Sequence, residues 1–253
     1  MNPELGRVLS KLEQLRLGSF CQVLQKMAEE DVAEAARIAA HLDRMAEQEL
    51  AWRRDRAIER RIAQAHFIEI KTVETFDFEH NVSTRKLKNR FLRLLEADPV
   101  RGNLSVVFYG ATGLGKSHLA KALGYASCQR NHCVLYESCA KLLNTLVTGE
   151  ATKDLERALR RYVSPSLLIL DEVGYLTMTA SEANLFFQVV SRRHEYRRPT
   201  VLTTNKPFKE WNQVFHGDAT AHVIVDRLTE RAEIFYLEGE SYRKRHRQGL
   251  GDT

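Results

Sequence analysis

The sequence predicts an α/β fold with a parallel central sheet flanked by helices, preceded by a small all-helical N-terminal domain. Three observations predict it. Leucines and other apolar residues recur near the helical period over the first 66 residues. From residue 82 onward, short apolar runs alternate with helical stretches, the pattern of strands joined by crossover helices. One of those runs leads straight into a glycine-rich loop and then a helix. At 253 residues with 43% hydrophobic content, the chain can bury one large α/β core and carry a small appendage.

In chain order, Leu9, Leu12, Leu15 and Leu17, then Phe20, Val23, Leu24 and Met27, read as two helices, with Gly18-Ser19 as the turn between them. Asp31-Val32-Ala33-Glu34 resembles an acidic capping box that opens a long helix through Leu42, Met45, Leu50, Ile58 and Ile62. Its far end is dense in arginine: Arg53, Arg54, Arg56, Arg60 and Arg61, beside Trp52. We expect residues 1–66 to form a helical domain too small to be very stable alone, suited to contacts with a partner or another copy. A linker over 67–81 carries Thr75-Phe76-Asp77-Phe78, and an ATPase-sized domain fills 82–253. Within it, strands are expected at Leu104–Tyr109, Val134–Glu137, Leu167–Leu170, Thr200–Thr203 and Ile234–Leu237. Helices are expected at Ser117–Gln129, Ala140–Val147, Thr152–Tyr162, Ala180–Tyr196, Pro207–Phe215 and Ala219–Arg231.

The bulk composition narrows the function classes. A net charge of +5 leans modestly toward an acidic partner such as nucleic acid. Cys21, Cys128, Cys133 and Cys139 lack C-x-x-C spacing, which points to free, mostly buried thiols rather than a zinc site. No apolar run approaches the roughly eighteen residues of a membrane span, and the N-terminus has no signal-peptide core. We therefore expect a cytoplasmic protein.

The strongest local signal is Gly110-Ala111-Thr112-Gly113-Leu114-Gly115-Lys116-Ser117, a G-x-x-x-x-G-K-S loop between a strand and a helix. Its glycines let consecutive N–H groups face one anion, and the helix dipole adds to the same spot. Lys116 would reach the β- and γ-phosphates of ATP, and the Ser117 hydroxyl would ligate Mg²⁺. We place His118, the next residue, in the same ATP-binding set. A second signal is Leu167-Leu168-Ile169-Leu170-Asp171-Glu172, where an acidic pair emerges from a buried strand at the end where ligands bind. Asp171 would hold Mg²⁺ through water, and Glu172 would orient and deprotonate the attacking water. Asn205, closing Val201-Leu202-Thr203-Thr204-Asn205, either reads the γ-phosphate or caps the helix that follows. Arg227, in Val225-Asp226-Arg227-Leu228, either reaches a neighbouring subunit's nucleotide in trans or pairs with Asp226 or Glu230 at the surface. In Gly239-Glu240-Ser241-Tyr242-Arg243-Lys244-Arg245, Arg243 is either a γ-phosphate sensor or part of a basic tail.

Together these residues resemble the AAA+ P-loop NTPases of the initiator and helicase-loader clade, above all the IstB-like transposition helper ATPases of bacterial insertion sequences, with DnaC-like helicase loaders next. The resemblance runs from the N-terminal leucine-rich helices, through Ala65-His66-Phe67-Ile68-Glu69-Ile70-Lys71-Thr72, to the motif series ending at Arg243. It implies a protein that binds ATP and Mg²⁺ and assembles head to tail as a homo-oligomer, with Arg227 completing the next subunit's site. It further implies engagement of double-stranded target DNA and recruitment and stimulation of a transposase. By the same resemblance Phe76 and Phe78 would lie near the adenine; they could equally be domain-docking hydrophobics. The chain stops shortly after Arg247, leaving no room for the separate helical lid many AAA+ proteins carry, which leaves the sensor reading of Arg243 open.

Candidate DNA contacts are Lys141, the helix with Lys153, Arg157, Arg160 and Arg161, and the N-terminal Arg53, Arg54 and Arg56. Basic helix faces bind phosphate without sequence preference, but Glu59 and Glu156 interleave here and a solvated surface would look the same. Two rival functions share the loop. A DnaC-like replicative helicase loader differs only in its partner. A small-molecule kinase would have little use for Glu172 beside the Mg²⁺ aspartate, or for the basic helices.

Overall fold

The computed structural model describes residues 3–215 and 217–243; Lys244, Arg245 and Arg247 of the basic C-terminal run lie outside them. By its contacts the chain divides into two compact units, Met1–Arg60 and Arg61–Thr253.

The first unit comprises α1 (Pro3–Gln14), α2 (Gly18–Glu30) and most of α3 (Val32–Gln64). Val8, Leu9, Leu12, Leu15, Cys21 and Leu24 pack with Ala39 and Ala46, and Leu5, Leu17, Ile38, Leu42 and Leu50 close over them. Small residues on α3 let the shorter helices approach closely, whereas Met45 and Trp52 are exposed. The break between α1 and α2 lies at Leu15–Leu17, before the Gly18-Ser19 expected to form it. There Arg16 adopts φ 62°, Arg16 N–H donates to Glu13 O, and Leu17 N–H donates to Leu12 O. That is a Schellman closure with arginine in the place glycine usually takes, which frees Gly18 and Ser19 to start α2. Asp31 caps α3 as expected, its Oδ1 accepting from Ala33 N–H at 2.9 Å and Glu34 N–H at 3.0 Å.

In the second unit the strands β1 (Ser105–Gly110), β2 (Val134–Ser138), β3 (Leu167–Val173), β4 (Thr200–Thr204) and β5 (Ala232–Leu237) form one sheet in the order β2-β3-β4-β1-β5. Every pairing is parallel. The crossovers are α5 (Lys116–Gln129), the pair α6 (Cys139–Ala151) and α7 (Leu155–Val163), α8 (Ala180–Glu195), and the run α9 (Trp211–Val214) to α10 (Asp218–Thr229). Helix α4 (Val82–Ala97), not assigned from the sequence, precedes β1; Leu87, Phe91, Leu94 and Leu95 make its buried stripe.

Both faces of the sheet are covered, which is why its strands are continuous apolar runs. Alternate strand residues serve two cores. Val107, Leu168, Leu170 and Leu202 pack with α6 to α10. Val106, Phe108, Ile169, Val201 and Phe235 pack with α4, α5, Phe67, Phe76 and Phe78. The segment 61–81 thus belongs by its contacts to the second unit, because its aromatic residues have their partners there.

Candidate nucleotide site

The glycine-rich loop follows the last residue of β1, at the point where the sheet order places β4 and β5 on either side of it. Crevices of this kind beyond the carboxyl ends of parallel strands are where ligands bind. Gly113 and Gly115 have φ of 87° and 90°. A β-carbon on either would run into a neighbour, the Ser241 hydroxyl at Gly113 and the Phe76 ring at Gly115. Helix α5 begins at Lys116 with no side-chain cap, so its first-turn N–H groups and its positive dipole end face the loop. Leu114 anchors the loop in the core at 4% exposure.

Lys116 Nζ donates to the Ala111 carbonyl at 2.7 Å, within its own loop. Burial pushes its pKa down; the Asp171 charge pulls it back up, and the Arg243 charge pushes it down again. Arg243 is therefore close enough to be felt at Lys116. The segment before it is fastened to the loop, with Tyr242 N–H donating to Gly113 O at 3.0 Å. Asn81 holds it from the other side: Oδ1 accepts from Glu240 N–H and Nδ2 donates to Glu240 O, both at 3.0 Å.

Ser117 Oγ donates to Asp171 Oδ1 at 2.8 Å. Ser117 and Asp171, from different motifs, thus meet as a hydroxyl and a carboxylate, an all-oxygen donor set that fits a hard cation such as Mg²⁺. Two further hydroxyls, not singled out from the sequence, reach the same carboxylate. Thr203 Oγ donates to Oδ1 at 2.5 Å, and the Tyr136 hydroxyl donates to Oδ2. Burial, then the Asp171 charge, raises the Tyr136 pKa, so the phenol stays protonated and donates.

The acidic pair does not simply follow the strand. β3 continues to Val173, and its pairing with β4 slips between Leu170 and Val173. Within this bulge Glu172 adopts φ 63°, and its N–H donates to Thr203 Oγ at 3.0 Å. The bulge leaves Asp171 buried and Glu172 exposed, separating two adjacent carboxylates into different environments. Asn205 lies exposed just past β4.

Phe76 and Phe78 part company. Phe76 sits against Gly115 and edge-on to His118, ring centroids 5.1 Å apart. Phe78, 6% exposed, is turned into the core toward Phe91 and offers no free face to a base. His118 Nε2 lies 2.9 Å from the Thr72 carbonyl. Burial lowers its pKa, keeping the imidazole neutral at pH 7 and assigning Nε2 as the N–H donor.

Arg227 stands elsewhere. Its guanidinium lies 4.9 Å over the Phe187 ring, with no ion pair to Asp226 or Glu230; Glu230 is taken by His194. It lines a cavity of about 350 Å³ with Arg193, Arg197, Arg231, Ser105 and Thr200. Ser105 and Thr200 are the first residues of β1 and β4, whereas the glycine loop follows the last residue of β1. Six strand residues at about 3.3 Å each put roughly 17–20 Å between them, too far for Arg227 to serve its own loop.

Most of the basic candidates have partners. Lys141 Nζ and Arg161 Nη2 lie 3.2 and 3.5 Å from the buried Glu137 carboxylate, and Arg157 lies 3.7 Å from Asp154. Arg53 pairs with Glu49 and Arg56 with Glu59. Lys153, Arg160 and Arg54 are exposed and have no ion-pair partner among the described residues. No described helix is long and apolar enough to cross a membrane.

The sheet order and the loop with its Ser117–Asp171 pair define an α/β P-loop NTPase of the AAA+ type. The chain belongs to the IstB-like ATP binding protein family, whose model matches residues 10–249. A Bacillus thuringiensis relative named for insertion sequence IS232 and for ATP binding is 32% identical over 246 residues, covering 96% of each chain. A Sinorhizobium fredii relative, also named for an insertion sequence and ATP binding, is 36% identical over 92% of this chain and 78% of its own. Among solved structures the DnaC helicase loader is similar with a TM-score of 0.59 at 17% identity, over 66% of this chain and 96% of that one. DnaA from Aquifex aeolicus with bound AMPPCP gives 0.56 at 20% identity, over 72% and 55%. At these identities the structures share the fold.

Proposed function

We propose that the protein is a Mg²⁺-dependent ATPase of the cytoplasm that assembles head to tail on duplex target DNA and recruits and stimulates a transposase. One observation carries the reading: Lys116, Ser117, Asp171 and Glu172 gather at the carboxyl ends of the strands, while Arg227, with no ion-pair partner among the described residues, stands at their amino ends. A site split in this way is complete only when one copy's Arg227 meets another copy's nucleotide. The relatives' association with insertion sequences supports the transposition setting, and AMPPCP bound to the similar DnaA fold supports ATP as the ligand.

In this proposal the loop N–H groups and Lys116 hold the phosphates, and Phe76 and His118 border the base. Ser117 and Asp171 hold Mg²⁺, which offsets charge on the β- and γ-phosphates when bound. Glu172 takes the proton of the water that attacks the γ-phosphorus as the bond to ADP breaks, while Asn205 orients that water. Arg243, felt electrostatically at Lys116, contacts the γ-phosphate. Lys153, Arg160 and Arg54 are the preferred DNA contacts, since they have no ion-pair partner among the described residues.

Duplex binding tests this directly. With ATP present, neutralising about six phosphates makes affinity fall on the order of a thousandfold between 50 and 200 mM salt, with little sequence preference. A flat salt response, or no duplex binding, would reject the DNA assembly. A pull-down returning a hexameric helicase in place of a transposase would transfer the same chemistry to helicase loading.

A further inference from the structure

Asp171 is gripped by three hydroxyls. Ser117 and Thr203 both donate to Oδ1, and among the described residues Tyr136 alone serves Oδ2. The geometry follows from the register of β2 on β3. Tyr136 pairs with Ile169, and Asp171 is the next β3 residue on that face. A side chain as long as tyrosine leans along the strand and covers the two-residue offset with its hydroxyl. The tyrosine is itself held in place. Its N–H donates to the Ala65 carbonyl at 2.8 Å, Phe67 packs 6.0 Å from its ring, and Lys121 Nζ lies 4.9 Å from the ring centroid.

The three donors are not equivalent once a cation arrives. Ser117 is itself a proposed ligand: its oxygen lone pairs would face the cation while its proton can stay on Asp171. Thr203 shares Oδ1 with it, and among the described residues Tyr136 is the donor on Oδ2. Two donors on opposite oxygens fix the plane of a carboxylate; one alone leaves it free to rotate about its bond.

We propose that Tyr136 is a positioning residue for Asp171, fixing the orientation in which the carboxylate meets the divalent cation of the nucleotide. The proposal rests on the reading that Ser117 and Asp171 hold Mg²⁺. Its place on the edge strand, braced by Ala65 and Phe67, also makes the metal site sensitive to how the linker packs.

The test is equilibrium ATP binding to the parent and to Tyr136→Phe, each in Mg²⁺ and in EDTA. Phenylalanine keeps the ring packed against Phe67 and removes only the donor. We expect equal affinities in EDTA, and a Mg²⁺-dependent gain reduced about tenfold in the variant, the size expected for a hydrogen bond to a charged group. The Mg²⁺ concentration for half-saturation should rise in parallel. An undiminished gain overturns the proposal. An equal loss with and without Mg²⁺ also overturns it, since Tyr136 would then only pack the loop. A parent with no Mg²⁺-dependent gain would instead remove the metal reading of Ser117 and Asp171 itself, whatever the variant does.

Discussion

Among the described residues of the nucleotide site, Glu172 is the one non-glycine held in a left-handed backbone conformation, at φ 63°. For a residue with a β-carbon that conformation costs on the order of 1 kcal/mol. Here it is over-determined by the β3 bulge and by the bond from its N–H to Thr203. Lys116 and Glu172 should accordingly fail differently when altered. Lys116→Ala removes the cation at the loop and should abolish tight ATP binding, seen as loss of a titration signal. Glu172→Gln keeps every phosphate and metal contact, so ATP should still bind. Phosphate release should fall roughly a hundredfold to ten-thousandfold, the range for losing a general base. Unchanged hydrolysis in Glu172→Gln would take the base role from this residue.

Helix α7 and strand β4 are tied together by one buried side chain. Arg193, 1% exposed, donates to the carbonyls of Tyr162, Val163, Pro165 and Pro199 and to the Thr200 hydroxyl. Burial pushes its pKa down to about 9, so it remains charged at neutral pH. The carbonyls at the C-terminal end of α7 stand in for a counter-ion. Arg193→Met should therefore strand several buried acceptors and cost about 3 kcal/mol or more, read as a drop in the denaturation midpoint. Lysine should not restore it, because a point charge cannot span acceptors spread across a planar fork. The sequence marks both of the elements Arg193 joins, yet nothing local to Arg192-Arg193-His194 distinguishes the buried arginine from the half-buried Arg192 and exposed His194 beside it. The same holds at the α1–α2 break. A glycine two residues downstream is the stronger turn signal, and the packing of Leu15 and Leu17 decided otherwise.

At the scale of the whole molecule, the length of β1 separates the loop from Arg227. Arg227→Ala subunits would keep an intact Lys116, Ser117, Asp171 and Glu172, and Lys116→Ala subunits would keep a good finger beside an empty site. Each alone should hydrolyse little ATP. Mixed at fixed total protein with saturating DNA, some interfaces would pair a good finger with a good site, and activity should partly return. A finger is worth about a thousandfold or more, so even a minority of such interfaces is measurable. A mixture no more active than the average of the two mutants would reject completion across the interface. Full activity in Arg227→Ala alone would leave the arginine as a side chain packed on Phe187.

The apolar runs of the strands, the helical spacing between them and the glycine loop are local properties of the chain. They determined the α/β class and the residues that flank the loop without reference to anything distant. The Ser117–Asp171 pair was legible too, since strand ends in a parallel sheet converge on one edge. What tertiary structure alone decided are contacts between strands: Tyr136 and Thr203 lie 35 and 32 residues from Asp171. Tyr136 sits in no motif, and Thr203 lies in the stretch that Asn205 closes with no role read from it; each becomes part of the site only through the register of β2 and β4 on β3. Packing likewise sent Phe76 to the loop and Phe78 to the core, although only Asp77 separates them. A pattern records which residues are apolar or polar, but a site is made by which of them the sheet brings within hydrogen-bonding distance.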